Sequence, residues 1–431
     1  MINEAENEPC GIGGALAVGL GSIIGGSVFA TMGIAMQGAG GAAPLAYLLG
    51  AAPAWLTAYS YIRMSAAHPG AGGTMAYFDL AFGGGIVSAG LNLMLIVCYA
   101  SVASLYAGVL GTYVADLFGL HSPIVQRVLS CAGIGVVAYV NLSPSALSRR
   151  VQSPLNACKF LVMGVFIVSA LLSPLWAWGN FDYVHWQSPG SILTTALTIF
   201  MSYQGFELLT AIRRPMRSAR YTLPIAMLLC LLIVTFYYCA TAFCTVGNVD
   251  YANLDTESAY LLSAVARRFM GEAGSVLLCT GAIVAATSAL NADIFSVSAL
   301  PEQMAEEREM PKRFRTTRRA IHPAGVIFLS ILLLLFVNLL SIAELIAISS
   351  LGFLVVYTLA NAISIKITKR HKHAHLISAL GALVCLGSVI TIGRQLCLSD
   401  NNVLLVPVTL GMLVLPFIWQ TVYYLMLRKR R

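Results

Sequence analysis

Charge is scarce in this chain. Of its 431 residues, 10% are Asp, Glu, Lys or Arg and 58% are hydrophobic, whereas soluble domains carry about 25% charge. Together with a mean hydropathy of +0.80, this excludes an ordinary soluble domain. The ten cysteines form no C-x-x-C pair, and no His, Cys or Asp spacing of metal-binding or nucleophilic type occurs. Neither a metal, a cofactor nor an enzymatic activity is therefore expected. Cys98, Cys158, Cys230, Cys279 and Cys385 sit in apolar stretches and read as small core residues. The acidic start Met1 to Pro9 lacks a basic-then-apolar leader, so no cleaved signal is expected. Long polar loops are absent too, which leaves no room for an inserted soluble domain.

What is present is apolar sequence in lengths close to the roughly 20 residues that cross a bilayer. Spans are expected near 11–38, 42–66, 84–118, 123–142, 152–176, 190–212, 222–246, 272–300, 322–340, 342–367, 376–394 and 402–427. The net charge of +8 is not a nucleic-acid signature, because its placement follows the spans. Arg149/Arg150, Arg213/Arg214/Arg217/Arg220, Arg308 to Arg319, Lys366 to Lys372 and Arg428 to Arg431 all fall on one side. The other side carries Arg127, Arg267, Arg268 and Arg394. The positive-inside rule makes the basic side cytoplasmic, with both termini there. A multi-pass protein of a cell membrane, prokaryotic inner or plasma membrane in type, is expected, surrounded by lipid.

The first span is unlike the others. Gly19, Gly21, Gly25 and Gly26 fall within eight residues, with Ser22 and Ser27 beside them. Each glycine in a helix interior is less favourable than alanine by roughly 1 kcal/mol. One reading is close helix packing through small pairs such as Gly21 and Gly25. The other is a helix broken at mid-membrane, which lipid tolerates only where backbone lines a cavity. A break exposes N–H groups at one half-helix and C=O groups at the other, a receptor for a zwitterion.

The second span closes on Tyr61 to Tyr77, with Pro69, Gly72, Gly73 and Tyr77. With Gly25, Val28 and Phe29 in the first span, these residues make the chain resemble the amino acid–polyamine–organocation transporters, the amino acid permeases with the LeuT-like fold. The likeness continues through Asn92 to Tyr99, Ala285 to Asn291 and Met310-Pro311. It departs at Arg63, where such permeases commonly have Glu, and at Gly26-Ser27, where small-Gly is usual. The resemblance implies an all-α membrane protein of about 12 helices: a 5+5 inverted repeat with helices 1 and 6 broken, and two further helices. One transporter domain would cover 1–431, with repeat one near 11–176, repeat two near 190–367 and extra helices near 376–427. The extra helices would scaffold the bundle or a homodimer.

The second break is then sought in span six, where Gly205 interrupts an apolar run amid Ser202, Gln204 and Glu207. Two interrupted spans in corresponding halves point to a transport site. Substrate is expected on Ser22, Ile23, Ile24, Gly25, Gly26 and Ser27, and on Phe200, Met201, Ser202 and Gln204. Asp293 stands where similar proteins often present an aromatic residue to the substrate, and is open to a cationic substrate group, to Lys159 or to a proton. Lys159, Glu207, Ser288 and Tyr99 are assigned to coupling or gating. The resemblance implies that Lys159 replaces a bound sodium ion and ties the first span to span eight. It also links Glu207 to gating and proton sensing. Tyr357, Asn361 and Glu344 in span ten are open between gate residues and helix contacts.

The expected function is sodium-independent secondary transport of an amino acid or related amine, by proton symport or by exchange. The alternative is a substrate-sensing receptor of the same fold, which would call for a long signalling tail. A channel would need a continuous polar face, whereas the polar residues here gather at the two breaks.

Overall fold

A computed structural model describes residues 11–69, 71–120, 122–143, 147–211, 216, 218–252, 254, 258–315, 322–368, 372–398 and 405–429. Helices stand at all twelve expected span positions. They are the pair α1 (Ile12–Ile23) and α2 (Ser27–Ala39), then α3 (Ala43–Ala67), α4 (Gly73–Phe82), α5 (Ile86–Leu117), α6 (Pro123–Leu142) and α7 (Leu147–Leu171). The second half comprises α8 (Pro189–Thr198), α9 (Leu208–Ala211), α10 (Ala219–Asn248), α11 (Leu261–Val297), α12 (Leu300–Glu306), α13 (Pro323–Leu339) and α14 (Ile342–Ile367). Two final helices, α15 (Lys372–Leu398) and α16 (Leu405–Lys429), close the bundle. No strand occurs among the described residues. Among the described residues, eight stretches are long and apolar enough to cross a membrane, α8 and α9 being taken together as Pro189–Thr210 and α11 with α12 as Leu261–Glu306, and the bent pair α1–α2 makes a ninth.

The core is built around α5, whose apolar window is 94% buried and which packs against α6, α11, α13, α14 and α16. By contrast α6, α15 and α16 are mostly unburied and carry exposed residues such as Val136, Leu383 and Leu415, as lipid-facing helices do. The short helix α4 is separate from the third span and lies before it, at the end of the bundle where the basic loops gather. Span eight is longer than expected: α11 runs back to Leu261 through a bend at Gly271, whose φ is +67°.

Several basic residues tie helix ends together. The Arg63 guanidinium donates to Thr368 O (3.2 Å), placing a cation on the last carbonyls of α14, where it opposes the helix dipole. Arg213, Arg214, Arg217, Arg318, Arg319, His371 and Arg431 lie outside the described residues.

Candidate functional site

Both interruptions are present. α1 ends at Ile23, α2 begins at Ser27, and the two axes differ by 51°. In span six, α8 passes into a 3-10 helix over Ile199–Tyr203, the chain turns through 204–207, and α9 resumes at Leu208. The glycines of the first stretch divide between the two sequence readings. Gly21 serves packing, since a Cβ there would lie 2.4 Å from Asn156 Nδ2 on α7. Gly25 and Gly26 form the break itself.

The breaks face one another through polar side chains. Thr31 Oγ1 on α2 bonds to Ser202 Oγ (3.0 Å), to Tyr47 OH (2.8 Å) and to Ser27 O (2.8 Å). The Tyr238 hydroxyl, on α10, sits 3.2 Å from both Ile23 O and Ser202 O and 3.1 Å from Ser27 Oγ. It thus spans the carbonyl ends of both breaks. A hydroxyl has one proton to give, and Ile23 O also accepts from Gly25 N (2.9 Å), so these carbonyls keep lone pairs for a further donor. Opposite them, α2 starts with no side-chain cap, and the first N–H groups of a helix have no partner within it.

Lys159, on α7 and 3% exposed, donates from Nζ to Ile24 O (3.2 Å). Its ammonium therefore closes the carbonyl end of α1. Ser288 on α11 is buried, and its Oγ has no hydrogen-bond partner. The link to α11 is electrostatic: the Asp293 carboxylate lies within range of the charges of Lys159 and Glu207. Asp293 itself is buried, and its Oδ2 has no hydrogen-bond partner.

Glu207 is caged by donors. Tyr99 OH reaches Oε1 (2.9 Å), while Tyr357 OH (2.7 Å) and Gly205 N (2.9 Å) reach Oε2. This joins spans three, six and ten at one carboxyl. Span ten also holds the 3-10 segment, because Ser350 Oγ donates to Thr198 O and accepts from Met201 N. The two other span-ten candidates resolve into helix contacts. Glu344 forms a capping box with Ser341, and Asn361 bonds to Ser60 and Thr57 of α3.

Of the residues assigned to substrate, Ile23, Ile24, Gly25, Gly26, Ser27, Phe200, Met201, Ser202 and Gln204 are brought together and buried. Ser22 is half-buried and spends its hydroxyl on Val18 O (2.9 Å) within α1. Sequence reasoning missed Tyr238, Thr31, Tyr47, Ser350 and Tyr106; the last would touch any Cβ at Gly25. Tyrosines inside apolar helices read as core, and nothing local marks them otherwise. Ser341 and Glu344, by contrast, carry the S-x-x-E spacing of a capping box.

A family model described as amino acid permease matches residues 13–427. The inner membrane transport protein YbaT of Escherichia coli is 25% identical, over 88% of each chain. The mitochondrial cationic amino acid transporter 3 of Arabidopsis thaliana is 24% identical, over 82% of this chain and 61% of its own. A methylthioribose transporter of Bacillus subtilis is 23% identical, over 82% of this chain and 80% of its own.

Proposed function

Because the chain belongs to the amino acid permease family, we propose that it is a sodium-independent secondary transporter of an amino acid or related amine, working by alternating access. Membership makes it a multi-pass membrane transporter of small molecules; the rest of the reading stands on the site. Its carrying observation is the pair of facing breaks, with carbonyls of Ile23 and Ser202 on one side and the uncapped start of α2 on the other. A zwitterion held between them would set its ammonium on the carbonyls and its carboxylate on the N–H groups.

Three further features support parts of this reading. The Lys159 ammonium on Ile24 O supplies the fixed positive charge that a bound metal ion would otherwise bring, which favours sodium independence. An inverted repeat of 11–176 and 190–367 would make the two breaks equivalent, and their places in α1–α2 and in α8–α9 suit it. The basic loops assign the end carrying α4 and α12 to the cytoplasm. Asp293, buried and lacking a donor at Oδ2, is the position that separates a basic from a neutral substrate.

The test is a thermal-shift screen of the purified protein over amino acids and amines, followed by proteoliposome uptake of each hit with and without a proton gradient, in sodium-free buffer. One substrate class is expected to raise the unfolding midpoint and to be taken up. Asp293→Asn is expected to weaken basic substrates selectively. Stabilisation by no amino acid or amine overturns the reading.

A second expectation concerns Lys159→Met. It removes a charged donor from Ile24 O, an interaction worth roughly 1.5–3 kcal/mol, so uptake should fall about 10- to 100-fold. The check is initial uptake rate normalised to folded protein. An unaltered rate would show that the ammonium is not part of the working site.

A further inference from the structure

At the basic end of the bundle, away from the breaks, three carboxylates from distant parts of the chain converge. Asp79 lies on α4 and Glu307 and Glu309 follow α12, and each offers an oxygen within 4.8 Å of the other two. Oxygens that share one calcium ion, at bonds of about 2.4 Å, stand no further apart than about twice that length. No ion pair reaches any of the three among the described residues. Arg308, Lys312 and Arg315 line the adjoining cavity of about 860 Å³ with Glu307 and Glu309. The Arg315 guanidinium is engaged, donating to Ala305 O (2.7 Å) and Glu306 O (2.8 Å).

A separate observation comes from α5. Asn92 is fully buried beside the cluster, with Nδ2 donating to Asp79 Oδ1 (3.1 Å) and reaching Glu309 Oε2 at 3.5 Å. Its Oδ1 has no hydrogen-bond donor, and neither has Oε1 of Glu309, a residue only 8% exposed. Buried oxygens left bare cost about 1–3 kcal/mol each, and carboxylates this close repel one another. Burial first, and then the Asp79 charge, push the Glu309 carboxyl up to about 7. None of the neighbouring side-chain cations pairs with these carboxylates among the described residues.

We propose that Asp79, Glu307 and Glu309, with the amide oxygen of Asn92, bind a hard divalent cation such as Mg²⁺ or Ca²⁺. All four donors are oxygens, the ligand type these ions take. Turning the Asn92 amide over exchanges its N and O with little change in shape and brings Oδ1 onto the ion. The ion ties α4 and the start of α5 to the segment after α12. Since α4 also packs against α9, the half of the second broken span at this end, and against α14, the occupied site holds the basic end of the bundle closed. Asp79 and Asn92 lie more than 200 residues from Glu307 and Glu309 in sequence, which is why no metal-type spacing announces the set.

The experiment uses the purified full chain in detergent, stripped with chelator. It is titrated with MgCl₂, CaCl₂ and MnCl₂ against choline chloride of equal ionic strength. Thermal midpoint is one readout and electron paramagnetic resonance of bound Mn²⁺ the other. A saturable rise in midpoint and one bound Mn²⁺ per chain are expected, with affinity weakened at least 10-fold in Glu309→Gln and in Glu307→Gln. Glu307 is exposed, so its variant keeps the fold even if the buried one does not. An equal response to choline chloride, or undiminished Mn²⁺ binding in both variants, overturns the site. So does a midpoint that follows pH, loses that dependence in Glu309→Gln and ignores divalent ions, because the cluster then holds a proton instead. Binding is read without transport, so failure here leaves the proposed transport function untouched.

Discussion

Glu207→Ala is expected to abolish uptake and to destabilise the protein by roughly 3–5 kcal/mol. The carboxyl accepts from Tyr99 OH, Tyr357 OH and Gly205 N, all buried. Removing it strands three donors in an apolar interior, and each unsatisfied one costs about 1–3 kcal/mol. The backbone N–H of Gly205 has no freedom to turn elsewhere; the two hydroxyls can rotate and recover part of the loss. Glu207→Gln keeps the shape and one accepting oxygen, and a tyrosine oxygen can accept from its amide. Its stability loss should therefore be less than half that of the alanine variant. By size scaling, each kcal/mol is worth about 1 °C of unfolding midpoint in a chain this long, so the alanine variant should fall by roughly 3–5 °C. Equal midpoints for the two variants would mean that the three donors do not depend on the carboxyl.

The contrast between Glu207 and its cage shows what the sequence carries and what it leaves out. An acid beside a glycine in an apolar run is visible by itself, because both residue types are unfavourable there unless something offsets them. The same holds for Gly25 and Gly26 and for Lys159 in α7. Tyr238 is different. Its ring reads as filler in an apolar helix, and its role appears only when Ile23 and Ser202, 215 and 36 residues away, are brought to its hydroxyl. Thr31 meets Ser202 across 171 residues in the same manner. Periodicity along one helix contains no term for such pairings. The helix positions themselves were legible because bilayer thickness fixes their length and hydropathy. The short 3-10 segments and the backward extension of α11 past Gly271 were not, since they follow from backbone hydrogen bonding at each end.

Gly205→Ala tests the central geometry more directly, because it removes no polar group. Gly205 has φ of +109°, a conformation that L residues other than glycine rarely adopt and that costs them about 1–3 kcal/mol. A Cβ there would also lie 3.0 Å from Ser22 O and 3.1 Å from Ser22 C, the backbone at the end of α1. Backbone does not swing aside as a side-chain tip would, so the two breaks must separate. Separation stretches the contacts that depend on their spacing: Tyr238 OH on Ile23 O and Ser202 O, and Thr31 on Ser202. Uptake should fall by more than 100-fold and the midpoint by several degrees. Gly135→Ala in α6 and Gly164→Ala in α7 are the controls, since no atom lies within 4 Å of a Cβ at either position and neither has a positive φ. In a helix interior that exchange stabilises by about 0.5–1 kcal/mol, so the sign of the effect should reverse. The same methyl group is thus expected to harm where the backbones of the broken spans approach closely and to help where a helix wall faces open space. If all three variants behaved alike, the close approach of Gly205 to Ser22 would have no part in holding the site.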